Sequence, residues 1–163
     1  TVFPRCVDFD ASPDRIEEAY LASALAPLGA PGPHAWPEVA FTPLAGVGGR
    51  WLAKALKQLG VTSARPVTEE MTPDPNFTSV VNPNPEVRAT LETLTSHLSH
   101  NAGALGLALD PDGDRLALIE RQPEGDVRYF SGNEVGLLLA EHFAQSQQHS
   151  ATLLGARCGT KTV

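Results

Sequence analysis

The stretch LALDPDGDRLAL, residues 107–118, places an acidic turn between two nearly identical apolar runs. Its three carboxylates, Asp110, Asp112 and Asp114, alternate within five residues. The segments on either side, GALGLALD and LALIERQ, are short apolar runs next to turn residues, which is typical of strands. The stretch therefore predicts two core strands that hold three aspartates at the tip of a hairpin.

Like charges at this spacing repel each other unless water, protonation or a cation compensates them. Gly113 allows the backbone to curl so that the carboxylates converge, and Mg²⁺ accepts several carboxylates while keeping positions for water or phosphate. An EF-hand loop is disfavoured, because Arg115 and Arg121 stand where that motif needs glycine and glutamate. We therefore predict a divalent-metal site, and a solvated acidic turn is the alternative.

The composition excludes several classes of protein. The 163 residues are 42% apolar and 19% charged, which suits a folded domain with a core. A formal net charge of −7 without a basic run argues against nucleic-acid or membrane partners. No apolar run reaches the ~20 residues of a membrane span. The two cysteines, Cys6 and Cys158, form no CxxC pair and fit free thiols in a cytoplasmic protein.

The apolar periodicity alternates between helices and strands, which indicates an α/β fold with a mixed four-stranded sheet covered by helices. A proline- and asparagine-rich segment, residues 71–85, predicts a surface loop. Helices are predicted over 13–27, 50–60, 86–100 and 131–147, and strands at the start of 38–49 and over 103–110, 116–122, 127–132 and 151–154. In the last helix we expect an inward face of Val135, Leu138, Leu139 and Phe143.

Both ends of the chain suggest a piece of a longer polypeptide, because it begins without Met and stops as a strand starts. We expect residues 1–37 to be an incoming helix and linker from a preceding domain. Residues 38–150 would then form a metal-binding α/β domain, and residues 151–163 would start a truncated following domain.

Four ordered segments resemble the α-D-phosphohexomutases, the phosphoglucomutase and phosphomannomutase superfamily. The acidic turn DPDGDR resembles the metal-binding loop of that family. The other three are FTPLAGVGG at 41–49, TPDPNFTSVVNPNPE at 72–86 and SGNEVGLLLAEH at 131–142. Because four motifs occur in the order of the family, the resemblance is more specific than the acidic turn alone.

The resemblance implies the second, metal-binding domain of a multidomain mutase that moves phosphate between two oxygens of a phosphosugar through a bisphosphate. It assigns Asp110, Asp112 and Asp114 as Mg²⁺ ligands and Arg115 as a contact of the active-site phosphoryl region. The implied partners are the phosphosugar, the sugar bisphosphate and the neighbouring domains of the same chain.

The chain departs from the family pattern in the nucleophile. The phosphoserine of the family lies in its first domain, in a TASHNP-like loop, and Ser99-His100-Asn101 lacks the flanking residues and comes too late. We therefore expect no catalytic nucleophile in this chain and no mutase activity from it alone. A non-catalytic metal- or partner-binding module that keeps the fold is the alternative. The glycines of residues 46–49 fit a tight strand-to-helix turn or a phosphate cradle.

Overall fold

The computed structural model describes residues 13–28 and 35–146. Its five strands form one sheet in the order β2-β1-β3-β4-β5. They are β1 (Val39–Thr42), β2 (Ala64–Pro66), β3 (Leu105–Leu109), β4 (Leu116–Arg121) and β5 (Val127–Phe130). The helices are α1 (Pro13–Leu25), α2 (Gly49–Gln58), α3 (Glu92–His97) and α4 (Gly132–Ser146), with 3₁₀ turns at Ala26–Leu28, Thr68–Glu70 and Arg88–Leu91.

The sheet is mixed, as predicted. Strand β1 pairs in parallel with β2 and β3, whereas β3, β4 and β5 form an antiparallel meander. All four residues of β1 are buried, because a central parallel strand is covered on both faces. The parallel pairing matters for the site, since the carboxyl ends of β1 and β3 lie at the same edge of the sheet.

Two apolar clusters lie on opposite faces of the sheet, so the domain has three layers. Leu56 of α2 packs on Val39 and Phe41 on one face. Leu94 of α3 packs with Ile119 on the other face. These contacts confirm the predicted α/β class, in which helices cover both faces of the sheet.

The sheet has five strands rather than the predicted four. The additional strand, β2, is three residues long, contains Pro66 and forms the edge beside β1. Proline is tolerated at such an edge because no ladder donor is needed there. A strand of three residues is too short to show the alternation of apolar and polar residues by which strands are predicted.

The predicted helix over 86–100 is shorter in the structure, and α3 covers only Glu92–His97. A 3₁₀ turn, Arg88–Leu91, precedes it. The predicted strand at 151–154, the linker residues 29–34 and both cysteines lie outside the described residues.

The inward face expected for α4 is wrong for Leu138, Leu139 and Phe143, whereas Val135 is half-buried. Leu138 and Leu139 are 50% and 51% exposed, and Phe143 is 40% exposed. The helix contacts β4 and β5, but most of its apolar side chains are not covered by the described residues. Periodicity predicts an apolar face and cannot say what covers it.

Helix α1 packs against α2 through a mixed polar and aromatic contact. The buried carboxylate of Glu17 forms an ion pair with Lys54, and the ring of Tyr20 meets that of Trp51 edge-on at 5.2 Å between centroids. Within residues 13–28 and 35–146, none of the helices has the length and apolar character that crossing a bilayer requires.

Candidate metal centre

The acidic loop joins β3 to β4 as the predicted hairpin. The ladder between the two strands ends at the pair Leu109 and Leu116. The Asp110 amide then donates to the Arg115 carbonyl at 3.2 Å, and the Gly113 amide donates to the Asp110 carbonyl at 3.1 Å. Gly113 has φ +79°, in the left-handed region where a side chain would be strained. The short loop is therefore closed by its own backbone.

The loop brings together the three aspartates predicted as metal ligands. Each of Asp110, Asp112 and Asp114 offers a carboxylate oxygen, and these oxygens lie within 4.8 Å of one another. Asp110 is 1% exposed, whereas the other two are exposed. Anionic oxygen donors of this kind suit a hard divalent cation such as Mg²⁺, and the exposed side leaves room for water or phosphate oxygens.

Arg115 holds the buried aspartate from two directions. Its backbone amide donates to Asp110 Oδ1 at 3.0 Å, and its Nε donates to Oδ2 at 2.8 Å. The same Nε lies 3.7 Å from Asp114 Oδ1. A carboxylate offers about four lone-pair sites, so Asp110 keeps acceptor capacity for a cation after these two bonds.

The pKa values of Asp110 and Asp114 shift in opposite directions. Burial alone would raise the pKa of Asp110, but hydrogen bonds from Arg115, and from Asp114 and Asp112, lower it to about 2. The pKa of Asp114 is raised by its hydrogen bond to Asp110 and by the negative charge of Asp112. The loop thus carries more negative charge than Arg115 compensates, which is the situation that a bound cation relieves.

A second segment, residues 44–47, supports the acidic loop from the carboxyl end of β1. The Val47 amide donates to the Pro111 carbonyl at 2.9 Å. Gly46 lies against the backbone of Pro111 with no space for a side chain. Leu44 and Ala45 have φ values of 49° and 57°, which non-glycine residues rarely adopt. The glycine-rich segment is therefore a tight turn between β1 and α2, which is one of its two predicted roles, and it also supports the acidic loop.

Sequence reasoning missed Asn84 at this site. Arg115 Nη1 donates to Asn84 Oδ1 at 3.2 Å, and the Glu86 amide donates to the same oxygen at 3.0 Å. A signal for it lies in the sequence, because Asn84 belongs to the segment 72–86 that resembles a family motif. Within the segment, Asp74 caps its own turn by accepting bonds from the amides of Asn76 and Thr78, at 2.9 and 2.8 Å.

Arg115 also lines a groove of about 670 Å³ between the 85–91 segment, β4, β5 and the start of α4. The groove is lined by apolar side chains, two arginines and Glu86. Its walls include Leu116 and Leu139, and the Arg88 guanidinium stacks 4.8 Å over the ring centroid of Tyr129. The arginine of the acidic loop is thus 46% exposed beside a space that a small anionic molecule could enter.

The structure does not bring Ser99 to this centre. Ser99 precedes β3, and the acidic loop follows β3, so the two lie at opposite ends of the strand. The Ser99 carbonyl accepts a bond from Arg121 Nε at 3.3 Å, and its Oγ accepts one from the Asn101 amide at 3.2 Å. These contacts describe a residue of the loop between α3 and β3.

Residues 31–125 match the family model described as phosphoglucomutase/phosphomannomutase, alpha/beta/alpha domain II. The chain is 42% identical over 99 residues to a phosphopentomutase of Homo sapiens, a match that covers 60% of this chain and 16% of that protein. It is 34% identical over 108 residues to a phosphoglucomutase of Staphylococcus aureus (strain MRSA252), covering 66% of this chain and 20% of the relative.

A crystal structure of a phosphoglucomutase/phosphomannomutase family protein from Burkholderia thailandensis has the same fold. It superposes with a TM-score of 0.64 at 21% identity and covers 81% of this chain and 26% of that one. The chain thus spans a fifth or less of the two curated relatives and about a quarter of the solved structure.

Proposed function

The chain belongs to the phosphoglucomutase/phosphomannomutase family, and from this membership we propose that it is the metal-binding domain of a phosphosugar mutase. The observation that supports the proposal is the convergence of three aspartate oxygens within 4.8 Å on a loop of the matched segment. The parent enzyme would be an isomerase that transfers a phosphoryl group between two oxygens of a sugar phosphate. A phosphoserine and a bisphosphorylated sugar would be its intermediates.

The acidic loop would hold Mg²⁺ through Asp110, Asp112 and Asp114. A cation held there would supply neutralisation of the negative charge on the transferring phosphoryl group. Arg115 retains guanidinium donors after its bonds to Asp110 and Asn84, and the planar fork suits a phosphoryl oxygen. We assign Arg115 the task of orienting the phosphoryl group at the mouth of the groove.

From the family membership we propose that the nucleophile is a serine of a neighbouring domain of the same parent chain. Ser99 does not fit this role, because it lies at the end of β3 opposite the acidic loop. We therefore propose that the 163-residue chain alone does not interconvert glucose 1-phosphate and glucose 6-phosphate. Turnover by the purified chain would overturn this assignment. The substrate class is a hexose or pentose phosphate, and we place the parent enzyme in the cytoplasm.

Titration with Mn²⁺ in place of Mg²⁺, followed by calorimetry or electron paramagnetic resonance, tests the metal site. Wild type should bind one ion, and Asp112→Ala should abolish this binding while the domain stays folded. Asp126→Ala, which removes an exposed aspartate from the turn between β4 and β5, is the matched control and should bind as wild type does. Identical titrations of wild type and Asp112→Ala would contradict the ligand assignment.

The parent chain separates an enzyme from a non-catalytic module. A full-length protein that interconverts hexose or pentose phosphates, and loses this activity in Asp112→Ala, supports the mutase. A full-length protein that binds Mn²⁺ through the same aspartates but converts neither sugar phosphate would be a binding module.

A further inference from the structure

Glu70 is a buried carboxylic acid behind the turn that supports the acidic loop. The residue is 1% exposed and lies at the end of the 3₁₀ turn Thr68–Glu70. The Thr42 hydroxyl donates to Glu70 Oε2 and accepts the Leu44 amide at 2.9 Å. The Ala45 amide donates to the Glu70 backbone carbonyl, also at 2.9 Å. Glu70 is thus connected to two consecutive amides of the turn. Its side chain reaches the Leu44 amide through the Thr42 hydroxyl, and its backbone carbonyl accepts the Ala45 amide directly.

Those two amides belong to residues whose backbone conformation needs external support. Leu44 and Ala45 both adopt left-handed backbone conformations, and neither is a glycine or asparagine. Such residues keep a strained conformation only when their surroundings fix it. Leu44 and Ala45 are 0% and 2% exposed, and Val80 packs on them, so apolar packing and the Glu70 bonds act on the same turn.

The turn contacts the acidic loop in this strained conformation. Gly46 and Val47 follow directly, and they make the close approach and the hydrogen bond to Pro111. Pro111 lies between two of the proposed metal ligands, Asp110 and Asp112. A change in the turn would therefore move the backbone that carries the carboxylates.

We propose that Glu70 is a positioning residue for the metal loop, acting through Thr42 and the turn at 44–47 rather than touching the metal or substrate. A buried carboxyl costs free energy unless it is hydrogen-bonded, so an apolar residue would be the simpler choice if only the core needed filling. The role rests on the proposed metal site, but the contact between turn and loop can be measured without metal.

Amide hydrogen exchange at Val47 reports this contact directly, because its amide donates to Pro111. In metal-free protein, Glu70→Leu and Thr42→Val should speed exchange at Val47 by roughly tenfold relative to wild type, as each removes a buried hydrogen bond. The Gln122 amide, which donates to Asp126 at 2.8 Å in a distant turn, is the internal control and should not change.

Two conservative variants separate positioning from general destabilisation. Glu70→Gln keeps an acceptor for Thr42, and Thr42→Ser keeps the hydroxyl, so both should leave Val47 exchange near the wild-type rate. Thr42→Val against Thr42→Ser also suffices if Glu70→Leu does not fold. Unchanged exchange at Val47, or equal acceleration at Val47 and Gln122, would overturn the positioning role.

Mn²⁺ titration of the same variants distinguishes the proposed metal site from the proposed positioning role of Glu70. If wild type binds Mn²⁺, Thr42→Val should weaken its affinity several-fold and Thr42→Ser should not. If wild type binds no Mn²⁺, the metal site fails, while the exchange data alone decide whether Glu70 positions the loop. Full Mn²⁺ affinity in a Thr42→Val protein with fast Val47 exchange would contradict the link from turn to ligands.

Discussion

Gly46 and Pro111 approach so closely that a Cβ built on Gly46 would lie 2.3 Å from the Pro111 Cα and 2.4 Å from its carbonyl oxygen. The two residues follow different strands and are distant in sequence. Their contact joins the glycine-rich turn after β1 to the acidic loop after β3. Because both partners are backbone, neither can yield by rotating a side chain.

Replacement of Gly46 by alanine should therefore destabilise the domain by about 1–3 kcal/mol, since an extra methyl in a filled space forces the backbone apart. The urea unfolding midpoint should fall accordingly. Gly136→Ala is the matched control, because nothing lies within 4 Å of a Cβ at this position in α4. It should leave stability equal or raise it by up to about 1 kcal/mol, as alanine favours helices. Equal midpoints for the two variants would contradict the tight contact.

Glu70 should make the stability of the domain fall as pH rises. Burial raises the pKa of Glu70, against the hydrogen bonds of Thr42 and Thr93, with a further rise from Glu69 and a decrease from His97. An acid with a raised pKa in the folded state favours folding while it is protonated, and this advantage is lost as pH climbs from its ordinary value of 4.5 through the folded value.

The variant Glu70→Gln should lack this dependence. Urea unfolding of wild type and variant from pH 4 to pH 8 measures the difference in their free energies of unfolding. We expect wild type to lose stability relative to Glu70→Gln as pH rises. A constant difference across this range would show that Glu70 titrates as an exposed residue does.

The start of α4 carries a reciprocal cap. The Ser131 amide and hydroxyl donate to Glu134 Oε2 at 2.8 and 2.9 Å, and the Glu134 amide donates to Ser131 Oγ at 3.3 Å. Ser131→Ala should cost about 1 kcal/mol in a urea titration at pH 7, and Ser131→Thr should cost little because it keeps the hydroxyl. Equal losses in the two variants would show that the hydroxyl is not what caps the helix.

The cost of Ser131→Ala should also depend on pH. Hydrogen bonds from the Ser131 amide, the Ser131 hydroxyl and Arg128 lower the pKa of Glu134. The charged carboxylate therefore stabilises the fold above its ordinary value of 4.5, and this contribution fades as pH falls through the lower folded value. The difference between wild type and Ser131→Ala should shrink in acid, and a difference that grows there would contradict the cap.

Asn84 should matter for the orientation of Arg115 and not for metal affinity. Asn84→Ala removes an acceptor of the guanidinium and of the Glu86 amide, and should cost roughly 0.5–1.5 kcal/mol of stability in urea unfolding. Asn82→Ala is the control. Asn82 accepts bonds from Asn84 and Thr90 through its backbone carbonyl, which the substitution keeps. Mn²⁺ affinity should stay within about twofold of wild type in both variants, and loss of binding in Asn84→Ala alone would make it part of the metal site.

The hairpin and its acidic tip were predictable because they follow from local pattern. Apolar runs on both sides of three alternating aspartates predict the strands and the turn without knowledge of the rest of the chain. The glycine after Asp112 has the left-handed conformation that the turn requires. Helix α2 was equally readable, because Gly60 follows its last turn with φ +79°.

Long-range contacts were not predictable in the same way. Leu44 and Ala45 have no sequence signal for left-handed backbone, which usually falls on glycine or asparagine. Glu70 would be expected at the surface, since glutamate is rarely buried, and only the tertiary structure reveals its bond to Thr42. Helix α4 is the opposite case. Its apolar pattern predicts burial, but the described residues do not cover that face.

The parallel register of β1 and β3 sets the relative position of the turn at 44–47 and the acidic loop. Thr42 pairs with Ala108, so the turn and the acidic loop begin at the same level along the strand direction. One residue inserted into either strand would shift its loop by about 3.3 Å, more than the length of the bond from Val47 to Pro111. Insertions in the distal turn between β4 and β5 would leave that spacing unchanged. The aspartate hairpin is therefore not a portable module, and a graft into another scaffold needs the neighbouring parallel strand, in register, with its turn.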